Sequence, residues 1–293
     1  MQVRACKMTV RRPDLAAIAE KTGLGNAQIH VRALAPGGAR WSRDDGRWVY
    51  PASMIKVPLA AAAAVAIRAG RLGWDTVVTV DARNATPNDA ASPIVPGYRT
   101  TVEELTTFML QRSDNVATNQ LYDVLDRERA TADIAALGYP ATAFRRKLSG
   151  SLPLIDDPEA TGRNAFPAAD AVNLFAAIAD NRVPEADVLR RILATSWWDV
   201  KLSRGLEPGD AFAHKTGDTD EVAHDGGILT LPGGARWVIV VYTELPSSDE
   251  HDARFGAFMR ALRPYLLASD GALGSEGALD EPGNRATTPP EQE

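Results

Sequence analysis

The sequence contains a single cysteine, Cys6, and no long hydrophobic run. One cysteine excludes an internal disulfide. No segment reaches 18 uncharged apolar residues, and the alanine-rich run 57–67 is too short to span a bilayer, so it predicts a buried core helix. Residues 1–15 carry four basic side chains without an apolar stretch of signal-peptide length. This indicates a cytoplasmic protein or the mature form of an exported one.

The sequence also lacks an excess of basic residues and lacks residues with metal-ligand spacing. The 38 Asp and Glu residues outnumber 32 Lys and Arg, which leaves a net charge of -6, and no basic block interrupts this balance. We therefore expect no general affinity for nucleic acid or an anionic membrane. No cluster of Cys, His and carboxylate residues has metal-ligand spacing, so neither a metal nor another cofactor is expected. The expected partner is a small-molecule substrate, bound by a monomer.

Apolar periodicity predicts strands near both ends of the chain and helices between them. Alternation predicts a strand at 27–34, a second one after the PGG turn at 36–38, and three more at 211–217, 224–231 and 236–244. Helical spacing occurs at 14–21, 53–69, 101–110, 115–126, 129–137, 168–179, 185–195 and 249–267. This order is typical of a mixed α/β (α+β) fold with one antiparallel sheet and a helical insertion.

The chain is expected to divide into three parts. Residues 1–26 form an N-terminal segment with the first helix, and residues 27–267 form the folded domain, whose helical lobe covers roughly 57–200. The tail 268–293 is rich in Gly, Pro, Glu and Ser without apolar periodicity, so we expect it to be disordered.

The stretch YPASMIKVPLA, residues 50–60, places Ser53 three residues before Lys56 at the start of the alanine-rich run. Side chains three residues apart on a helix share one face, with Cβ atoms about 5–6 Å apart. A lysine at the apolar mouth of a helix can have a lowered pKa and take the proton of a serine nucleophile. Alternatively, Ser53 merely caps the helix and Lys56 extends to solvent.

Two further polar motifs follow in the sequence. QRSDNVATN interrupts two helices with Ser113, Asp114 and Asn115, and HKTGD closes a strand with the triplet KTG at 215–217. Its glycine allows close approach of a ligand to the backbone. Each motif alone is typical of a helix cap or a turn. Their order, their separations of 60 and 102 residues and their structural context together favour a catalytic site.

SxxK, SDN and KTG in this order resemble the motif set of class A β-lactamases and penicillin-binding proteins. The similarity covers roughly residues 27–267, and SDNVATNQL resembles the SDN helix of that family. The resemblance implies the β-lactamase-like fold, with a five-stranded antiparallel sheet flanked by helices and an all-helical lobe. It also implies hydrolysis of β-lactam amide bonds through an acyl-enzyme on Ser53.

The resemblance further implies a role for each residue of the motifs. Ser53 would be the acylated nucleophile, Lys56 its proton acceptor, and Ser113 the group that passes a proton to the leaving nitrogen. Lys215 would bias the Ser113 hydroxyl electrostatically. Asp114 and Asn119 look structural, since buried hydrogen-bonding scaffolds need such groups.

The remaining implied roles concern substrate binding. Asn115 would donate to the side-chain amide of the substrate, and Lys215, with Thr216 and Gly217, would hold its carboxylate. The backbone N–H groups of Ser53 and Asp218 would form the oxyanion hole.

The loop that serves acyl release departs from the class A pattern. Class A enzymes carry a glutamate there with an asparagine four residues later, and this chain has no such ExxxN. Glu159 is the candidate substitute, and the alternative is that it is a solvated loop carboxylate. The stretch resembles a divergent branch with the pattern AxxGxxNxxxPxD, whose residue types occur in the same order, with altered spacing, at Ala160, Gly162, Asn164, Pro167 and Asp170.

The same branch carries HKTG and a downstream HD, found here as His214 and as His224 with Asp225. Class A enzymes commonly place a carboxylate-binding arginine near the position of His224, so we expect His224 to contribute to substrate binding. Alternatively it is a polar strand residue. Trp197 and Trp198 are expected to be buried core aromatics.

Three outcomes of acylation stay open. The protein could hydrolyse β-lactams, act as a DD-peptidase or esterase with a long-lived penicillin adduct, or bind penicillin without turnover. A serine glutaminase, which shares a serine–lysine pair on a related fold, is the competitor outside this class. The SDN and KTG triplets argue against it.

Overall fold

The computed structural model describes residues 12–150, 152–156 and 162–270. Its strands are β1 (Gln28–Ala33), β2 (Arg40–Arg43), β3 (Val77–Thr79), β4 (Arg99–Thr101), β5 (Ala211–Asp218), β6 (Ala223–Thr230) and β7 (Arg236–Thr243). Five of them form one antiparallel sheet in the order β2-β1-β7-β6-β5, and β3 pairs with β4 in a separate ribbon. The sheet thus combines β1 and β2 from the N-terminal part of the chain with β5, β6 and β7 from its C-terminal part.

Within the described residues the α-helices are α1 (Leu15–Lys21), α2 (Lys56–Arg68), α3 (Val102–Gln111), α4 (Asn115–Leu125), α5 (Arg127–Ala136), α6 (Ala168–Ala179), α7 (Ala186–Leu193) and α8 (Asp249–Asp270). Short 3₁₀ turns occur at Ala52–Ile55, Ala82–Asn84 and Leu202–Gly205. Asp14, Thr101 and Asp114 begin α1, α3 and α4, because each side chain accepts a hydrogen bond from the backbone N–H three residues later.

The sheet separates two apolar cores. On one face Ile239 and Val241 of β7 pack in a cluster with Phe258 of α8 and residues of α1. On the other face Val238 and Val240 join the cluster of α2 and its neighbouring helices. Successive side chains of a strand point to opposite faces, so the run WVIVV serves both cores and is buried throughout.

Helix α2 lies inside the second core and is buried on almost every side, including the five alanines at 60–64. Alanine has the highest helix propensity and no bulky side chain, so neighbouring helices can pack closely around it. The prediction of a buried core helix is confirmed. Among the described residues, no helix is both long and apolar enough to cross a membrane.

The predicted fold class and the five-stranded antiparallel sheet are confirmed. The β3–β4 ribbon was not anticipated, because three-residue strands are too short to show alternation. Helix α8 continues to Asp270, so residues 268–270 of the predicted disordered tail are helical. Cys6 and the tail beyond residue 270 lie outside the described residues.

A close crossing of α8 over the turn Leu202–Gly205 depends on Gly205. A Cβ atom at this position would lie 2.6 Å from Cβ of Met259 and closer still to the carbonyl oxygen of Gly256. The opposing backbone cannot shift without moving the helix. We expect Gly205→Ala to lower the free energy of unfolding, measured by urea denaturation, by about 1–3 kcal/mol.

Gly25→Ala is the matched control, because a Cβ there would meet only the mobile carboxylate end of Glu20. Its expected effect is within about 0.5 kcal/mol. A Gly205→Ala variant as stable as the wild type would show that α8 and this turn do not pack so closely.

Candidate active site

Ser53 lies, half-buried, in the 3₁₀ turn that leads into α2. We call residues 50–55 the Ser53 turn. Ala52 has a φ of 46°, a conformation that costs a residue with a side chain about 1–3 kcal/mol and persists only when neighbouring contacts hold it. The Met54 N–H donates to the Pro51 carbonyl at 3.0 Å and closes the turn. The first N–H groups of a helix lack partners within it, so the Ser53 N–H can face an anion.

Lys56 is completely buried, and its amine meets the SDN motif. Its Nζ lies 2.6 Å from the Ser113 carbonyl oxygen, 3.1 Å from Ser113 Oγ and 2.7 Å from Asn115 Oδ1. Burial, followed by the charge of Lys215, holds the pKa of Lys56 well below its ordinary value, against the opposing effect of Asp114 and Asp89. A neutral amine keeps a lone pair that can accept a proton.

Ser53 and Lys56 are not joined by a direct hydrogen bond between their side chains. No hydrogen bond within the described residues involves the Ser53 hydroxyl, and the Lys56 amine turns to Ser113 and Asn115. A buried amine needs several acceptors, and the α3–α4 junction offers one carbonyl and two side-chain oxygens. The alternative in which Lys56 extends to solvent is excluded by its burial.

The α3–α4 junction is shaped by the SDN triplet. Ser113 has a φ of 60°, which turns the chain between the helices. Asn115 is fixed from two further sides, because its Nδ2 donates to the Pro87 carbonyl at 2.8 Å and its backbone N–H donates to Asn88 Oδ1 at 2.6 Å. Asn88 was missed by the sequence analysis, since it belongs to a loop without a motif and only the fold brings it here.

Gly217 brings β5 against the Ser53 turn. A Cβ at this position would lie 3.0 Å from the Pro51 carbonyl oxygen and 3.2 Å from the backbone nitrogen of Met54. The glycine was expected to admit a ligand to the backbone. In the structure the turn that carries Ser53 packs tightly against the place where a side chain would begin, so the glycine allows the nucleophile to lie close to β5.

Lys215 and Thr216 are also buried, and Lys215 Nζ donates to the Thr216 carbonyl at 2.8 Å. Burial lowers the pKa of Lys215 to about 8, with a further lowering by Lys201 and an opposing effect of Asp218 and Asp225. The site therefore contains two buried amines whose charges disfavour each other. With a pKa of about 8, Lys215 is mostly protonated at neutral pH.

The side chain of Asp218 is engaged away from the Ser53 turn. It accepts from Lys201 Nζ at 2.6 Å, and Lys201 also lies 3.1 Å from Asp252 of α8. Alternate side chains of a strand point to opposite faces, so Asp218 and Gly217 serve different sides of the sheet. The Asp218 side chain is therefore directed away from the Ser53 turn, and the part of Asp218 considered for ligand binding is its backbone N–H. Lys201 belongs to no sequence motif, and only the fold brings it to Asp218 and Asp252.

His224 is fully buried with both ring nitrogens bonded to the backbone. Nε2 lies 2.7 Å from the Tyr50 carbonyl oxygen, and the Thr243 N–H donates to Nδ1 at 3.1 Å. Burial lowers the pKa of His224 to about 4, so the ring is neutral at physiological pH. The structure contradicts the expectation that His224 binds a substrate carboxylate, because it offers neither charge nor a free nitrogen.

His214 and Asp225 form a buried ion pair that links β5 to β6. His214 Nδ1 lies 2.9 Å from Asp225 and its Nε2 lies 3.1 Å from Asp199. Burial alone would lower the pKa of His214, but the charge of Asp225 and the hydrogen bonds to both carboxylates raise it to about 9. The histidine of HKTG and the aspartate of HD thus form one structural unit beside Lys215.

Two asparagines hold the segment that precedes α6. Asn119 donates to the Leu148 carbonyl and accepts from the Leu148 N–H, both at 2.8 Å. Asn164 accepts from the successive backbone N–H groups of residues 145–146 at 2.7 and 3.0 Å. Gly162 has a φ of 65°. This part of the AxxGxxNxxxPxD pattern therefore fixes backbone, and Asn119 is structural as expected.

The described acidic residues of this segment are paired. Asp156 accepts from the Arg127 guanidinium at 2.6 and 3.1 Å, and Asp170 accepts from Thr142 Oγ1 at 2.9 Å. Glu159 lies outside the described residues, so its part in acyl release stays a prediction.

Two arginine–aromatic stacks lie beside the motifs. Trp197 is 53% exposed and faces the Arg112 guanidinium, 3.8 Å from its ring centroid. Arg163 lies 4.3 Å over the ring of Tyr50. The expectation of a buried core aromatic is wrong for Trp197, because its ring faces a charged guanidinium and remains largely exposed.

The site thus combines a serine at a helix start, a buried amine of lowered pKa, a second serine bonded to that amine, and a lysine on an edge strand. These groups suit transfer of an acyl group to a serine oxygen, with proton relay through the amine.

The chain resembles known proteins over most of its length. A family model described as "Beta-lactamase enzyme family" matches residues 11–262. The structure of PBP-A aligns with a TM-score of 0.74 at 22% identity, over 89% of this chain and 99% of that chain. A mutant of PBP-A, solved as an acyl-enzyme complex with penicillin G, aligns equally well.

Bacterial enzymes align in the same way. A β-lactamase from Sphaerobacter thermophilus has a TM-score of 0.72 at 25% identity, over 86% of this chain and 97% of that chain. One from Chitinophaga pinensis has a TM-score of 0.74 at 22% identity, over 88% and 97%. None of the curated proteins matches the chain.

The His214–Asp225 pair predicts a specific pH dependence of stability. Because folding raises the pKa of His214 from 6.5 to about 9, its stabilisation is complete below pH 6.5 and is lost as the pH rises through 9. The loss is on the order of 3 kcal/mol. Urea denaturation between pH 6 and 9.5 measures it.

The reference for this measurement is a double variant, His214→Asn with Asp225→Asn, which removes both charges. Asp225 raises the pKa of Lys215, so titration of Lys215 would not cancel between the two proteins, and both therefore also carry Lys215→Met. A difference in unfolding free energy that does not shrink between pH 6.5 and 9 would show that His214 is not held in its charged form.

Proposed function

The chain belongs to the beta-lactamase enzyme family, and from this we propose that it is a serine hydrolase that opens β-lactam amide bonds through an acyl-enzyme on Ser53. Acylation is expected to be efficient and release of the acyl group slow. The alternative is a DD-peptidase or esterase relative, or a penicillin-binding protein without turnover.

The observation that carries the proposal is the environment of Lys56. Its amine is buried, its pKa is lowered, and it is bonded to Ser113 and Asn115 within one helical turn of Ser53. In the proposed reaction the Lys56 amine takes the Ser53 proton as the oxygen attacks the carbonyl carbon. Ser113, bonded to the same amine, returns a proton to the leaving nitrogen as the amide bond breaks.

The substrate is proposed to lie between the Ser53 turn and β5. The N–H groups of Ser53 and Asp218 would donate to the developing oxyanion, and each such donor typically contributes about 2.7–4 kcal/mol to lowering the barrier. Charged Lys215, with Thr216, would bind the substrate carboxylate, and Asn115 would donate to its side-chain amide.

Release of the acyl group is proposed to be slow because the described polar groups of the loop before α6 are already engaged in other hydrogen bonds. The asparagines of the segment before α6 are committed to backbone, and Asp156 is committed to Arg127. The likeness to PBP-A, whose mutant was solved with a penicillin G acyl-enzyme, supports the same view. Glu159 is the proposed base for whatever release occurs.

Intact-mass analysis with a fluorescent penicillin tests both steps. We expect one covalent adduct per chain within minutes, and its decay over hours, because acylation has its base and release lacks a strong one. Ser53→Ala is the matched control and should form no adduct. A wild type that is inert like Ser53→Ala would eliminate acylation of Ser53.

Rapid turnover with only a transient adduct would contradict slow release. Glu159→Gln should then accumulate the adduct if Glu159 is the base. Hydrolysis of a D-Ala-D-Ala peptide would favour the DD-peptidase alternative, and hydrolysis of glutamine would favour a glutaminase.

The charge of Lys215 predicts how binding depends on pH. Its pKa is about 8, so the ammonium that would hold the carboxylate is lost as the pH rises through that value. We expect the penicillin concentration for half-maximal acylation to rise about tenfold per pH unit above 8. Lys215→Arg keeps its charge and should flatten this rise. An unchanged profile in the arginine variant would contradict the assignment.

A further inference from the structure

The Ser53 turn is held to the sheet by contacts with two residues of adjacent strands. Gly217 of β5 packs on the Pro51 carbonyl and the Met54 nitrogen, and His224 of β6 lies with Nε2 2.7 Å from the Tyr50 carbonyl oxygen. The backbone between these contacts includes Ala52, whose φ of 46° requires external support. Of these two residues, Gly217 contacts the turn through its backbone and His224 contacts it through its side chain.

His224 is itself fixed on its other sides by β7. Nδ1 meets both the Thr243 N–H at 3.1 Å and the Ala223 carbonyl oxygen at 2.8 Å, whereas the partner of Nε2 is the Tyr50 carbonyl oxygen. A proton on Nε2 lets the neutral ring donate to Tyr50 while Nδ1 accepts from Thr243, so this tautomer forms the larger number of hydrogen bonds. The ring stacks on Tyr242, with centroids 4.2 Å apart and planes inclined by 12°. Tyr242, His224 and Gly217 are direct cross-strand neighbours in one row of the sheet. The ring therefore connects the interior of the sheet to the turn.

We propose that His224 is a positioning residue that holds the Tyr50 carbonyl and thereby sets the direction of the Ser53 hydroxyl. The inference rests on the proposed role of Ser53 as nucleophile. His224 touches no reacting atom, so its loss should slow the acylation step and leave substrate binding nearly unchanged. A misplacement of about 1 Å can lower a rate about 100-fold.

The test compares two amide replacements. In His224→Gln the amide reaches the level of Nε2 and can donate to Tyr50, whereas in His224→Asn it ends at the level of Nδ1, beside Ala223 and Thr243, and cannot reach Tyr50. Acylation at several concentrations of fluorescent penicillin gives a maximal rate and a half-saturating concentration. We expect His224→Asn to lower the maximal rate about 10- to 100-fold and His224→Gln to stay within about threefold of wild type. The half-saturating concentration should change little in both.

A second measurement does not depend on penicillin. Hydrogen exchange of the peptide 50–56 reports opening of the bond between the Met54 N–H and the Pro51 carbonyl. Exchange should be faster in His224→Asn and like wild type in His224→Gln. If wild type forms no adduct, the proposed function fails, and exchange still decides whether His224 holds the turn.

Equal behaviour of the two variants in both measurements, or an effect on the half-saturating concentration alone, would overturn the inference. Melting temperatures ensure that both proteins are folded under assay conditions. His224→Leu fills the same buried space without a donor and replaces His224→Asn if that variant does not fold.

Discussion

The site depends on one close approach, that of edge strand β5 to the Ser53 turn. The cross-strand row Tyr242, His224 and Gly217 ends in a residue without a side chain. This allows the Ser53 turn to pack directly against the backbone of β5. The same approach places Lys215 of β5 near Lys56 of α2. A Cβ at position 217 would lie 3.0 Å from the Pro51 carbonyl oxygen, so a side chain there would push the Ser53 turn away from β5.

Electrostatics follows from that geometry. Two lysines buried in one site cannot both hold a proton easily, and burial lowers the pKa of each. The Lys56 amine is satisfied by neutral oxygens of Ser113 and Asn115, whereas carboxylates at 218 and 225 favour the charge on Lys215. One amine is thus suited to proton transfer and the other to binding an anion. The ion pair of His214 and Asp225 helps to maintain this division.

The segment before α6 shows a different use of polar residues. Asn119 and Asn164 bond to the backbone at 145–148 and hold the segment against α4 and α6. Class A β-lactamases use a glutamate of the corresponding loop for acyl release. Here the described residues of the loop satisfy buried backbone groups. In the described part of this loop, polar side chains therefore serve to hold the backbone in place.

Much of the fold could be predicted from sequence. Alternation in β1 and β5–β7 and helical spacing in α2–α8 are local patterns, and they located these elements to within a few residues. The β3–β4 ribbon escaped because its strands have three residues each. Spacing and order of SxxK, SDN and KTG also indicated which segments meet. These features follow from chain-local chemistry, which a sequence displays directly.

Partners in space were decided only by the tertiary structure. Sequence could not show that Lys56 bonds to Ser113 and Asn115 and not to Ser53, or that Gly217 accommodates a turn. It also could not distinguish a surface histidine that binds carboxylate from His224, buried and neutral, bonded to Tyr50 across 174 positions of chain. Burial and hydrogen-bond partners depend on strands and turns distant in sequence. The sequence therefore determined which groups are present, and tertiary packing decided their charge, direction and contacts.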